Sequence, residues 1–211
     1  MTRNTLRKTH NEWGCTVNFS EFRAATELVG MLLADPRSLT LLLLLLAASI
    51  CDLRTRRIPN LLTFGGTALA LLFSFAAPHH GGGPLWALGG LGTGLALMLP
   101  LYVLRAMGAG DVKLMAMTGA FLGPDGAWHA VIFVFIAGGI AAVTYALWHR
   151  MAAKLIRNVQ QTTQLLLMTV AAGVLPDARA ASAQSVGKLP YGVSIALGTT
   201  AFLVARQFAW I

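Results

Sequence analysis

Gly108-Ala109-Gly110-Asp111-Val112-Lys113 joins two apolar stretches, residues 85–104 and 112–123. Both read as helix, so this hexapeptide sets a carboxylate at a helix start, at or just inside a membrane boundary. An acid at membrane depth is costly, and its first reading is functional. Gly108 and Gly110 remove side chains ahead of it and leave room for another backbone to lie alongside. One other acid matches Asp111. Asp52 ends an earlier apolar stretch, fifty-nine positions upstream.

The rest of the chain fits a membrane setting. Of 211 residues, 56% are hydrophobic and only 11% charged, where soluble domains carry about a quarter charged residues. Several apolar runs approach the roughly 20 residues needed to cross a bilayer. The expected fold class is therefore all-α: a polytopic membrane helix bundle of about six transmembrane helices. The expected spans are 36–53, 61–77, 85–104, 112–123, 127–148 and 189–205. Asp52 falls in the last turn of the first, and Pro59 suits the first turn of the second. Gly123-Pro124-Asp125-Gly126 reads as a turn. The fourth span is only about 18 Å long at 1.5 Å per residue, which implies a recessed start or a locally thin bilayer. Residues 1–35 read as an N-terminal tail, in which 22–34 suits a short interfacial helix, and 36–208 as a single membrane-embedded domain. Residues 149–159 put His149, Arg150, Lys154 and Arg157 on one basic face, which suits a helix lying on an anionic leaflet. Residues 165–175 are apolar but short, and read as interfacial or re-entrant.

Net charge is +8, and its distribution sets the orientation. Ten of the sixteen Lys and Arg fall in the segments 54–57, 105–113 and 150–188, and the turns 78–84 and 123–126 hold none. Lys and Arg mark cytoplasmic loops, so both acids are expected on the cytoplasmic side, with both termini outside. The lipid bilayer is thus the partner of the basic residues. Nucleic-acid binding is not expected, because no basic residues interleave with aromatics on a soluble module. Cys15 and Cys51 have no metal-ligand spacing; His79-His80 could bind a metal but reads better as a solvated pair in a glycine turn, and His129 and His149 lack a ligand set. No metal and no cofactor are expected.

After Glu27 the chain holds no Glu and five Asp, and only Asp52 and Asp111 adjoin membrane helices on the basic side. Two carboxylates that meet in a poorly solvated place share a proton and titrate as a pair. Such a pair can activate water as base and protonate a carbonyl or leaving amine as acid. The dipole at a helix start points to Asp111 as base and Asp52 as acid. Taken singly, each acid has a plainer reading: Asp111 as a helix N-cap, and Asp52 as an i,i+4 partner of Arg56.

The motifs carry a resemblance. Gly108-Ala109-Gly110-Asp111 resembles the GxGD motif of intramembrane aspartyl proteases. Asp52-Leu53-Arg54-Thr55-Arg56-Arg57-Ile58-Pro59-Asn60 resembles the first-aspartate motif of type IV prepilin peptidases. Lys188-Leu189-Pro190-Tyr191-Gly192 resembles the stretch that opens their last helix. The resemblance implies an endopeptidase of the bacterial cytoplasmic membrane that cuts the leader from type IV prepilins and pseudopilins at the cytoplasmic face. It maps the catalytic pair onto Asp52 and Asp111, with Gly108, Gly110, Lys113, Pro190, Tyr191 and Gly192 binding substrate or shaping the site. The chain lacks the paired CxxC motifs of larger members, so zinc and methyltransferase activity are not expected. It is similar to the short, peptidase-only form that serves Flp pili of tight-adherence secretion systems. Lys113 is expected to pair with a carboxylate or a lipid phosphate, and Tyr191 either to line the site or, as the favoured reading, to anchor the interface. Two competing readings use the same residues differently. One is a small proton-coupled transporter with the acids as a relay, and the other is a non-catalytic assembly subunit.

Overall fold

The computed structural model describes residues 30, 35–76, 83–103, 107–148, 160, 164 and 191–207. The expectations for residues 1–29, the 77–82 turn, 149–159, 165–188 and Pro190 lie outside the described residues. Five helices make up the described chain: α1 (Pro36–Thr55), α2 (Asn60–Ala76), α3 (Gly83–Val103), α4 (Ala109–Trp148) and α5 (Tyr191–Gln207). α1, α3 and α4 are long and apolar enough to cross a membrane, and α2 is apolar but shorter. Their outward faces carry Leu43, Leu46, Phe64, Leu72, Ile136 and Ile140, all exposed. A soluble protein rarely shows so broad an apolar surface. The architecture is an all-α membrane helix bundle.

α1 starts where its chemistry directs. The Asp35 carboxylate accepts from the backbone N–H groups of Arg37 and Ser38, and Pro36 occupies the first position, where its missing N–H costs nothing. The helix ends at Arg56, which takes the left-handed conformation at φ 51° and donates its backbone N–H to Asp52 O at 2.9 Å. Asp52 thereby lies in the last turn of α1. Pro59 stands outside α2, not in its first turn as expected. It precedes Asn60, and its carbonyl accepts from the N–H groups of Leu62 and Thr63.

The expected four-residue turn at 123–126 is a single residue. Only Gly123 leaves helical geometry, at φ 77°, a conformation that favours glycine. Pro124, Asp125 and Gly126 already belong to the next limb. The two limbs of α4, 109–122 and 124–148, fold back on each other. A Cβ on Gly119 would lie 3.3 Å from the Ala127 Cβ, whereas eight residues of unbroken helix span about 12 Å. Pro124 has no N–H for the carbonyl of Ala120, four residues earlier. Arg37 meets that need from another helix, its Nη2 donating to Ala120 O at 3.3 Å.

The first limb of α4 is the centre of the bundle. Residues 114–123 are all buried, as expected of a helix apolar on every side. This accounts for its shortness differently from a recessed or thinned membrane. It is enclosed by protein over this length, so its length need not match the lipid. α3 packs antiparallel to it at backbone contact. Gly90 lies directly against Gly119, and Gly94 against Met115, the close approach that small residues allow between membrane helices. α5 packs antiparallel to the second limb, Gly198 against Val134 and Gly138 against Ser194.

Candidate active site

The acid pair forms at one end of this bundle. Asp52 comes from the last turn of α1 and is 7% exposed. Its Oδ2 accepts the backbone N–H of Gly192 at 2.8 Å, so it caps the first turn of α5 from across the bundle. A side chain at 192 would interfere: a Cβ there would sit 2.9 Å from Asp52 Oδ2 and 3.1 Å from its Cβ. Ser49, one turn before Asp52, donates its hydroxyl to Leu45 O at 2.8 Å and stands 3.5 Å from Gly192 O.

Asp111 is the third residue of α4, not its cap. Gly108 holds the cap position, with its carbonyl accepting from the N–H groups of Asp111 and Val112. Asp111 Oδ2 in turn accepts the Gly108 N–H at 3.2 Å, which is the reach-back half of a capping box. The plainer reading of Asp111 as the N-cap is thus not met, although its carboxylate serves the same helix end, and the bond leaves Oδ1 free. Asp52 and Asp111 lie close enough for their charges to interact, and Tyr191 interacts with Asp111 in the same way. Each carboxylate stands at a helix N-terminus, Asp111 at that of α4 and Asp52 at that of α5. The dipole argument for Asp111 as the base therefore does not separate the two.

The connection between α1 and α2 closes the site from the side. Ile58 packs on Gly110, where an added Cβ would lie 3.3 Å from the Ile58 Cβ. Lys113 Nζ donates to Asn60 Oδ1 at 3.0 Å and lies 5.2 Å from the Phe64 ring centroid. Its partners among the described residues are thus an amide and an aromatic face, and the carboxylate, one of its two expected partners, is not among them. Tyr191 is half-buried against the core and close enough to Asp111 for their charges to interact, which favours the site-lining alternative over the interface anchor. Of the expected site residues, Asp52, Asp111, Gly108, Gly110, Lys113, Tyr191 and Gly192 gather here. Asn60 and Ile58 gain roles that their motif alone did not assign, and Ser49 was missed. Its only signal was a position one helical turn from Asp52. No group of metal ligands occurs among the described residues. His129 is engaged within its own helix, its Nδ1–H meeting Asp125 O at 2.8 Å.

Fold and site together define a membrane helix bundle with an acid pair at one end. The model of the type IV leader peptidase family matches residues 39–147, over half of the chain and including both acids. The chain belongs to the type IV leader peptidase family and is a protease of that type. No curated protein and no solved structure matches it.

The Lys113 contact carries a first prediction. Lys113→Met, which removes both the Asn60 bond and the ammonium over Phe64, is expected to slow leader cleavage about tenfold, the worth of one hydrogen bond near a charge. Lys113→Arg should recover most of the rate. Cleavage assays on both purified variants measure this, and a Met variant as fast as the parent refutes a positioning role for Lys113.

Proposed function

We propose that the chain is an aspartyl endopeptidase that removes the leader of Flp-type prepilins and pseudopilins at the cytoplasmic membrane face. The observation that carries this reading is the convergence of Asp52 and Asp111 at the ends of α1 and α4, each holding one backbone N–H. In the proposed reaction the carboxylate of one acid takes a proton from water as it attacks the scissile carbonyl. The protonated partner donates to the carbonyl oxygen; the first acid then passes the proton it took from water to the leaving amine as the C–N bond breaks, and a hydroxyl proton of the tetrahedral intermediate returns to the partner as the carbonyl reforms. The bond each acid makes to a backbone N–H fixes its orientation. Gly108 and Ala109 are exposed beside Asp111, which gives an extended substrate strand a bare backbone to lie against.

Charge supports the orientation. The acid end carries Arg54, Arg56 and Arg57, all exposed, together with Lys113, as a cytoplasmic face does. A substrate with a basic leader in water and an apolar helix in lipid presents its junction at this level. Cys15 and Cys51 cannot supply a four-cysteine zinc site, and the proposed activity is cleavage without methylation. Co-expression of the chain with a tagged Flp-type prepilin tests the reading. A leader-shortened product that depends on both acids is expected, and an unprocessed prepilin beside well-folded enzyme overturns the substrate assignment.

A further inference from the structure

The end of the bundle away from the acids holds a charged cluster that peptide cleavage does not use. Arg37, in the first turn of α1, is 6% exposed. Its Nη2 serves Ala120 O, and its guanidinium carbon lies 4.6 Å from the Trp86 ring centroid. Its other two nitrogens, Nε and Nη1, are buried without a hydrogen-bond partner. Buried guanidinium donors left unmet are costly, and their preferred partners are oxyanions such as carboxylate and phosphate. Arg37 lines a cavity of about 250 Å³ with Leu41, Trp86, Phe121, Leu203 and Arg206. Asp35 also borders it, and its oxygens accept from Arg37 N, Ser38 N and Ser38 Oγ as the helix cap. A second cavity of about 190 Å³ shares Trp86, Leu122 and Arg206.

Position narrows the oxyanion. α1 has 20 residues, about 30 Å of helix, which equals the thickness of a bilayer's hydrocarbon core. Arg37 is its second residue and so stands at headgroup level, and Trp86 on α3 is a residue type enriched there. Beside the arginines the lining includes Leu41, Phe121, Leu122 and Leu203, which suits a phosphate joined to acyl chains. We propose that this cavity is a phosphate-binding site, with Arg37 and Arg206 gripping the phosphodiester of a lipid headgroup in the leaflet opposite the acids.

Thermal unfolding of the full chain in maltoside micelles tests this without any peptide substrate. The probes are phosphatidylglycerol, an uncharged galactosyl diacylglycerol with the same acyl chains, and sodium phosphate against sodium chloride at equal ionic strength. Phosphatidylglycerol is expected to raise the midpoint saturably, and the galactolipid to leave it unmoved. Arg37→Lys and Arg206→Gln should each raise the half-saturating lipid concentration about tenfold, the effect of losing one charged contact. Arg206 is exposed, so its variant carries the test if Arg37→Lys does not fold. Saturable stabilisation by inorganic phosphate that is equally sensitive to Arg206→Gln supports the site with a free anion as its occupant. Equal half-saturation in the parent and Arg206→Gln, or no saturable effect of either phosphate source, overturns it.

Discussion

Asp52→Asn and Asp111→Asn are each expected to cut the rate of leader cleavage by about 10²–10⁴-fold, the usual worth of a positioned acid or base. Asparagine keeps the shape of the carboxyl and an oxygen for the Gly192 or Gly108 N–H, so both variants should fold. What it removes is the ability to take or give a proton. In the proposed reaction the acids act on the same proton transfers, so the double variant should be scarcely slower than either single one, as for other residues that act as a unit. Rates on a purified prepilin, with thermal midpoints beside them, check both statements. A parent pH profile with two limbs, reduced to one limb in each single variant, would tie both groups to the same step. Either Asn variant cutting at the parental rate ends the assignment of that acid.

The apolar runs made the bundle readable, because a membrane helix needs little beyond length and hydropathy. They did not reveal which helix is central. Residues 112–123 are short for a span, and the reason is contact: Gly90 lies against Gly119, and Gly94 against Met115. Those pairings join residues of different helices, and no local pattern announces them. The turn at Gly123 was placed correctly but drawn too long. The missing N–H of Pro124 was visible in the sequence, but Arg37, eighty-three positions from Ala120, was not visible as the group that compensates for it.

The candidate site divides in the same way. Asp52 and Asp111 stood out because acids are scarce beside membrane helices. Their backbone donors did not, since an N–H has no letter of its own. Lys113 drew attention as a charge, and a charge suggests a charged partner. Its actual neighbours, Asn60 and Phe64, come from α2 and depend on how the 56–59 connection lays Ile58 onto Gly110. Tyr191 read as an interface residue because aromatic residues at helix ends usually are. Only the packing of α5 against α1 and the second limb of α4 turns it toward Asp111.

Gly192→Ala is expected to slow cleavage by about 10–100-fold through a single methyl group. Its Cβ would stand 2.9 Å from Asp52 Oδ2, 3.1 Å from Asp52 Cβ and 3.2 Å from Cγ. The oxygen can swing aside, but the Asp52 Cβ is fixed to α1, so relief requires α5 to move or the carboxyl to rotate. Either movement breaks the 2.8 Å bond from the Gly192 N–H and leaves a buried acid without its donor, a loss of about 1–3 kcal/mol in stability. Asp52→Ala removes two of the three close atoms, Oδ2 and Cγ, together with the hydrogen bond that Gly192→Ala breaks, and leaves only the 3.1 Å contact with the Cβ, so Gly192→Ala should then cost less stability than it does beside Asp52. The coupling is measurable as a double-mutant cycle on denaturation midpoints, and residues in contact typically give about 0.5–3 kcal/mol of non-additivity. This result does not depend on the family match, which ends at residue 147. Strict additivity of the two stability changes, or an alanine variant with full activity, would show that α5 does not hold Asp52 in place.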